Sequence, residues 1–279
     1  MYFCITMERG MRKMLSIPML KHNFKACIVP FFIIFAFLTM YTTVIIYMYD
    51  PKLAEMLEGY QEALPEMMAA VGMTGVAASL IEWVQIYLYG FIMLLFPLIF
   101  IIIAVNKLVM GFIDNGSMAG ILATSNSRGK IIITQLLSLY IWLFILMVCV
   151  TAVGIVSANM LFPDELDIEK YLCLNAGTLM LWFAVASITF LASCIFSDAK
   201  YYYFFGAGLP ILFFFFNMMG NMGENLEFFN YITIYSLLPA DKLIAGNSQA
   251  LLPCLILLLI SIVLSAVGGI WFTKRDLSL

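Results

Sequence analysis

The chain has 279 residues, 64% of them apolar and 11% charged, with a mean hydropathy of +1.02 and a formal net charge of −3. A soluble domain is nearer half apolar and about a quarter charged, so soluble enzymes, nucleic-acid binders and disordered chains are excluded. An all-α, polytopic membrane protein remains.

Met7, Met11 and Met14 are alternative starts. In Ser16–Lys25, Ile17, Leu20 and Phe24 share one helical face, and Lys21 and Lys25 share another. This predicts a short interfacial entry helix over 16–25. A bilayer-crossing helix needs about 20 mainly apolar residues, and Cys27–Tyr49 is the first such stretch. It is too long for a signal-peptide core and lacks a small-x-small cleavage site, so it is expected to be retained. The 50–82 connection opens on the turn pair Asp50-Pro51. Leu53, Met56, Leu57 and Tyr60, then Leu64, Met67, Met68 and Val71, recur at helical spacing. Two amphipathic surface helices are predicted, with Glu55, Glu58, Glu62 and Glu66 on their wet face.

Ile86–Val105 is the second span, and Pro97 within it predicts a kink. The 106–130 loop follows. Asp114-Asn115-Gly116-Ser117 is a break, with Asn115 or Ser117 able to cap the next helix. Met118, Ile121 and Leu122 form an apolar patch, and Arg128 and Lys130 mark the base of the third span. A two-turn helix is not stable alone in water. It needs a partner surface, either the membrane face or another protein, as a coupling element would. Ile131–Ala158, Tyr171–Phe196 and Tyr201–Met219 are the next three spans, the last carrying Pro210. Within the 220–250 connection, residues 228–238 are too apolar for a free loop and too short to cross, which predicts a re-entrant or interfacial helix. Leu251–Phe272 is the sixth span, with a small-residue stripe at Ser261, Ser265 and Gly269 that suits close helix approach.

Charge placement orients the six spans. The N-terminus, the 106–130 loop, the 197–200 turn and the C-terminus hold 11 of the 14 Lys and Arg residues but only 4 of the 17 carboxylates. The positive-inside rule puts both termini in the cytoplasm. No span contains Lys, Arg, Asp or Glu, which disfavours an ion-coupled carrier. Gln135, Thr151 and Asn217 are the pathway candidates, and Ser138 and Asn175 are further polar groups at membrane depth. Each either lines a path or makes a helix–helix hydrogen bond.

Catalytic and metal motifs are missing. The one histidine, His22, lies in the basic entry segment, and neither HExxH nor GxSxG occurs. The six cysteines, at 4, 27, 149, 173, 194 and 254, form no CxxC, and the five in or at the edges of spans read as small apolar residues. A phosphate loop fails at Gly129-Lys130, because Thr124 and Ile131 occupy two obligatory positions. The chain is therefore not expected to hydrolyse ATP by itself.

Gly116-Ser117-Met118-Ala119, Leu122-Ala123-Thr124, Ser127-Arg128-Gly129-Lys130 and the ending Phe272-Thr273-Lys274-Arg275-Asp276-Leu277 carry a resemblance. With the order of spans, they resemble the permease subunit of ABC-2-type ABC transporters. Asp114 stands at the family's acidic position, and Asn126 stands where a proline is usual. The resemblance implies a single transmembrane domain over 1–279, paired with a second, identical or different, permease subunit in lipid. It implies two copies of a separate ATPase subunit that bind ATP and Mg, with none in this chain. Gly116, Ser117, Met118, Ile121, Leu122, Ser127 and Arg128, with the 16–25 helix, would contact that motor. The implied function is export across the bacterial cell membrane. A non-transporting immunity or sensor subunit and an ion-coupled secondary carrier are the alternatives.

Overall fold

A computed structural model describes residues 15–50, 59, 63–73, 75, 77–122 and 127–275, and among these every regular element is helical. In chain order the helices that matter are α1 (Ile17–Tyr47), α2 (Pro65–Ala70), α3 (Leu80–Val84), α4 (Ile92–Asp114), α5 (Met118–Leu122), α6 (Arg128–Leu161), α7 (Ile168–Ile195), α8 (Ala199–Asn221), α9 (Ala240–Ile244) and α10 (Leu251–Lys274). Six of them, α1, α4, α6, α7, α8 and α10, are long and apolar enough to cross a membrane. The glutamates 55, 58 and 62, and the apolar residues Leu53, Met56, Leu57 and Tyr60, lie outside the described residues, as do Ala123–Asn126 and Asp276–Leu279. Glu66 is exposed on α2.

Local chemistry sets the helix starts. Pro18 sits in the first turn of α1, where its missing N–H is no loss. Ser127 Oγ accepts from the Lys130 N–H at 3.3 Å to cap α6. Asp167 accepts from the Lys170 N–H at 3.2 Å to cap α7. Both caps satisfy an orphan donor of a first turn.

Three boundaries differ from the sequence reading. No separate interfacial helix covers 16–25, because α1 runs unbroken through it. Asn23, Cys27, Phe31, Ile34 and Leu38 form one buried stripe, so the entry segment already belongs to the bundle. The 106–130 loop is shorter than expected. The second span continues through wider turns over Asn106–Met110 and ends at Asp114. Leu108, Val109 and Met110 stay in the core by continuing the helix, while Lys107 faces out. The 220–250 connection holds no single helix over 228–238. It makes a 3₁₀ segment at Glu224–Tyr231, another at Tyr235–Leu237, and then α9. Side-chain bonds draw it along α8: Asn230 Nδ2 donates to the Gly220 carbonyl at 3.0 Å, and Thr233 Oγ1 donates to the Phe213 carbonyl at 2.8 Å. Phe213 lies eight residues before the end of α8, so the segment folds back along the helix by about 12 Å.

α7 is the central helix. In its most apolar stretch 72% of residues are buried, against 28% in α1 and in α10. Trp182 of α7 donates to the Met93 carbonyl at 2.9 Å, and Tyr89 donates to Asn175 Oδ1 at 2.6 Å. Phe24 and Phe31 of α1 pack on Trp142 of α6 with ring centroids 5.0 and 4.7 Å apart. Lipid tails are as apolar as these side chains, so close packing and interhelical hydrogen bonds hold the bundle. The outer faces of α1, α8 and α10 leave Phe32, Phe37, Phe204, Phe215, Leu255 and Leu259 exposed.

Contacts sort the helix ends into two groups. At one end the Ser16 N–H donates to Thr134, the Ala199 N–H to Asp114, and Arg128 to the Arg275 carbonyl. This is the basic end. At the other, the acidic end, Trp83 donates to the Ile45 carbonyl and Gln85 to Asp241. There the backbones of Gly72 and Gly90 abut. A Cβ on Gly72 would lie 2.6 Å from the Gly90 Cα, and its φ of +76° suits glycine alone.

Candidate functional site

The predicted contact residues lie at the basic end, where the first turns of α1 face the chain between α4 and α6. Ser16, Pro18, Met19 and His22 form one wall of a groove of about 390 Å³, and Phe112, Ser117, Gly120 and Ile121 form the other. His22 tilts against Phe112 with ring centroids 5.8 Å apart. The break before α5 is an Asx turn. Asn115 Oδ1 accepts from the Ser117 N–H at 3.0 Å and from its hydroxyl at 2.5 Å. Asn115 therefore shapes the turn ahead of α5 without capping its first-turn donors, and Gly116, just past the end of α4, supplies the left-handed φ of +72°.

This geometry revises the expected apolar patch. Met118 is 1% exposed, and Ile121 and Leu122 are half-buried against the core. The partner surface that α5 needs is the chain's own bundle. What remains outward is polar and small: Asp114, Asn115, Gly116, Ser117, Gly120 and Ser127 are exposed. Gly116, Ser117 and Ser127 therefore stay available to a partner, while Met118 does not.

Arg128 is committed internally. Its Nη1 donates to the Arg275 carbonyl at 2.7 Å. Arg275 in turn donates to the Cys194 carbonyl at 2.7 Å, to the Phe196 carbonyl at 3.1 Å and to Ser197 Oγ. The two arginines thus join the start of α6, the end of α7 and the end of α10. Cys194 and Phe196 carry carbonyls left without helical partners at a helix C-terminus, where a cation is favoured. Burial lowers the Arg275 pKa, but a guanidinium remains protonated.

The entry segment is bound to α6 by polar pairs. Asn23, fully buried, donates to Ser138 Oγ at 2.8 Å, and Ser138 donates to the Thr134 carbonyl at 2.6 Å. Sequence reasoning missed Asn23 because Lys21 and Lys25 flank it. The signal was its spacing, four residues before Cys27 on the buried stripe.

The three pathway candidates separate. Gln135 is fully buried with neither amide atom hydrogen-bonded. Thr151 donates to the Met147 carbonyl of its own helix at 2.8 Å. Asn217 lines a cavity of about 580 Å³ at the acidic end. Ser138 and Asn175 both serve interhelical hydrogen bonds. The stripe on α10 is also used within the chain, since the Tyr140 hydroxyl bonds with Ser261 at 2.8 Å and Ser265 at 2.6 Å. Among the described residues, His, Cys, Asp and Glu form no group of three suited to a metal ion. Compared with family models, curated proteins and solved structures, the chain matches none.

Proposed function

We propose that the chain is the membrane-spanning permease subunit of an ATP-driven exporter of the ABC-2 type. Both termini are cytoplasmic in this reading, and the basic end faces the cytoplasm, as the charge distribution requires. Two copies of a separate ATPase subunit bind ATP and Mg and dock at that end. A second permease subunit completes the pathway through the exposed apolar faces of the outer spans.

The observation that carries this reading is the composite surface of α1 and the 112–121 segment. Two stretches far apart in sequence form one groove, rimmed by exposed Ser117 and Gly120 and closed by His22 and Phe112. α4 and α5 both pack into the bundle that flanks this groove. A push on it is therefore a push on the first and second spans. No charge sits at membrane depth in the six sequence-read spans to supply ion coupling, so the energy comes from the motor.

The test is association and turnover. The chain, co-purified in lipid with its cognate ABC-type ATPase subunit, is expected to give vanadate-sensitive ATP hydrolysis. Gly120→Phe fills the groove, and a Cβ at Gly120 meets nothing within 4 Å, so the bundle is spared. That variant is expected to melt as the wild type does and to lose the ATPase. Absence of any association by the wild-type chain overturns the proposal.

A further inference from the structure

The polar lining of the cavity at the acidic end comes from four parts of the chain. Gln85, Tyr89 and Gly90 come from the turns before α4, and Asn217 and Asn221 from the last turns of α8. Asn230, Tyr235 and Ser236 come from the folded-back segment, and Asp241 and Lys242 from α9. A volume of about 580 Å³ is within the range of small-molecule sites, about 300–1,000 Å³.

Much of the lining is already committed, and what is left over defines the ligand. Gln85 Nε2 donates to Asp241 Oδ1 at 3.0 Å, and Ser236 donates to the Asn230 and Thr233 carbonyls. Asn230 spends its amide N–H on the Gly220 carbonyl, and its Oδ1 is enclosed against Gly220, so this side chain is committed to the wall. Asn217 is 9% exposed and lines the cavity, and its side chain makes no hydrogen bond among the described residues. Asn217 is not among the fully buried, unpartnered polar groups, so its amide opens to the cavity and is free to meet a ligand there. Asn221 lies one turn further along the same face of α8. The charged lining is balanced, with one carboxylate and one ammonium on adjacent residues of α9.

We propose that this cavity binds a neutral, hydroxyl-rich group about the size of one or two sugar rings. An amide presents a donor and an acceptor side by side. Adjacent hydroxyls on a ring present the same pair, so Asn217 and Asn221 each match two of them. The second Asp241 oxygen accepts a further hydroxyl proton. Tyr89 and Tyr235, 2% and 4% exposed, close the floor of the cavity. A permanent cation or anion finds no net charge to meet. Binding does not depend on the export reading, but the cavity's use as a cargo station rests on it.

The experiment uses the full chain alone, in phosphatidylcholine nanodiscs and without any ATPase, so a failed motor association cannot mask it. Calorimetric titration with maltose probes the free sugar, and nanodiscs doped with a diglucosyl lipid probe the headgroup. Glycylglycine amide and choline are the comparison probes. Saturable binding is expected for maltose or the glycolipid and for neither comparison probe. The two sugar probes show whether the group arrives from water or from the bilayer. Asn217→Leu with Asn221→Leu is expected to weaken binding about tenfold or more, from two or more hydrogen bonds of roughly 1 kcal/mol each. Asn217→Gln keeps the amide and is expected to retain part of the affinity. Thermal melting confirms that each variant is folded. No binding of either sugar probe, equal binding of the dipeptide amide or choline, or affinity unchanged in the folded double variant overturns the proposal.

Discussion

Arg275→Ala tests how the basic end is held. The guanidinium reaches two carbonyls at the end of α7 and the Ser197 hydroxyl, while the Arg275 carbonyl receives Arg128. Hydrogen bonds from a charged donor are worth about 1.5–3 kcal/mol each. The side chain is half-buried, so water replaces part of what is lost, and a net cost of about 2–3 kcal/mol follows. Arg128→Ala removes one bond to a carbonyl that stays near solvent, a loss of about 1 kcal/mol. Arg275→Lys falls between them, because one ammonium cannot span the same three acceptors as a planar fork. Ser197→Ala added to Arg275→Ala is expected to cost nothing further, since the partner is already gone. Tryptophan-fluorescence melting in detergent reads all four. If Arg275→Ala melts with the wild type, or Arg128→Ala costs as much, the two-arginine latch is wrong.

Gly154→Ala places a Cβ 2.1 Å from the Tyr171 hydroxyl oxygen, and Tyr171 is 1% exposed, so overpacking is expected to cost about 1–3 kcal/mol. Tyr171→Phe in that background is expected to restore part of the melting temperature. The Lys170 N–H holds the Asp167 carboxyl below its ordinary value. Its contribution is therefore present above the unfolded value, about 3.9, and lost as pH falls through the lower folded value. Asp167→Asn keeps a capping oxygen without the titration, and the stability gap to wild type is expected to close over that acid range. Gln135→Leu removes two buried polar atoms that have no partner. Because an unsatisfied buried amide costs about 1–3 kcal/mol, melting is expected to stay level or rise. A clear fall would mean that the amide is engaged.

The spans were legible because a membrane helix must be apolar on every face over a fixed length. The break at 114–117 was legible too, because Asp, Asn, Gly and Ser in a row leave a helix little to continue with. Where the helices ended was not. Asn106 and Lys107 looked like a loop, yet three core residues follow them, and tertiary packing kept the helix going to Asp114. The outward reach of Met118 and Arg128 was misjudged for a related reason. Periodicity names a face but not its occupant, and here the occupants are the bundle core and the Arg275 carbonyl. The cavity was half visible through Asn217. Its other walls come from 3₁₀ turns and α9, whose side-chain-to-backbone bonds leave no periodic trace in the sequence.

The two ends of the bundle are held by different chemistry, and this bears on which can move. At the basic end, charged side chains grip backbone carbonyls of neighbouring helices. Their partners are three spans, α6, α7 and α10. Such a joint favours one arrangement and transmits displacement as a unit. At the acidic end the joints are glycine backbones in contact, short 3₁₀ turns and single side-chain bonds such as Gln85 to Asp241. Those contacts surround a cavity instead of filling it, so fewer atoms resist a change of shape. A force applied at the groove between α1 and α5 would therefore pass through a stiff end and be expressed at a compliant one. In the proposed exporter, the small groove would receive the force and the large polar cavity would change its volume.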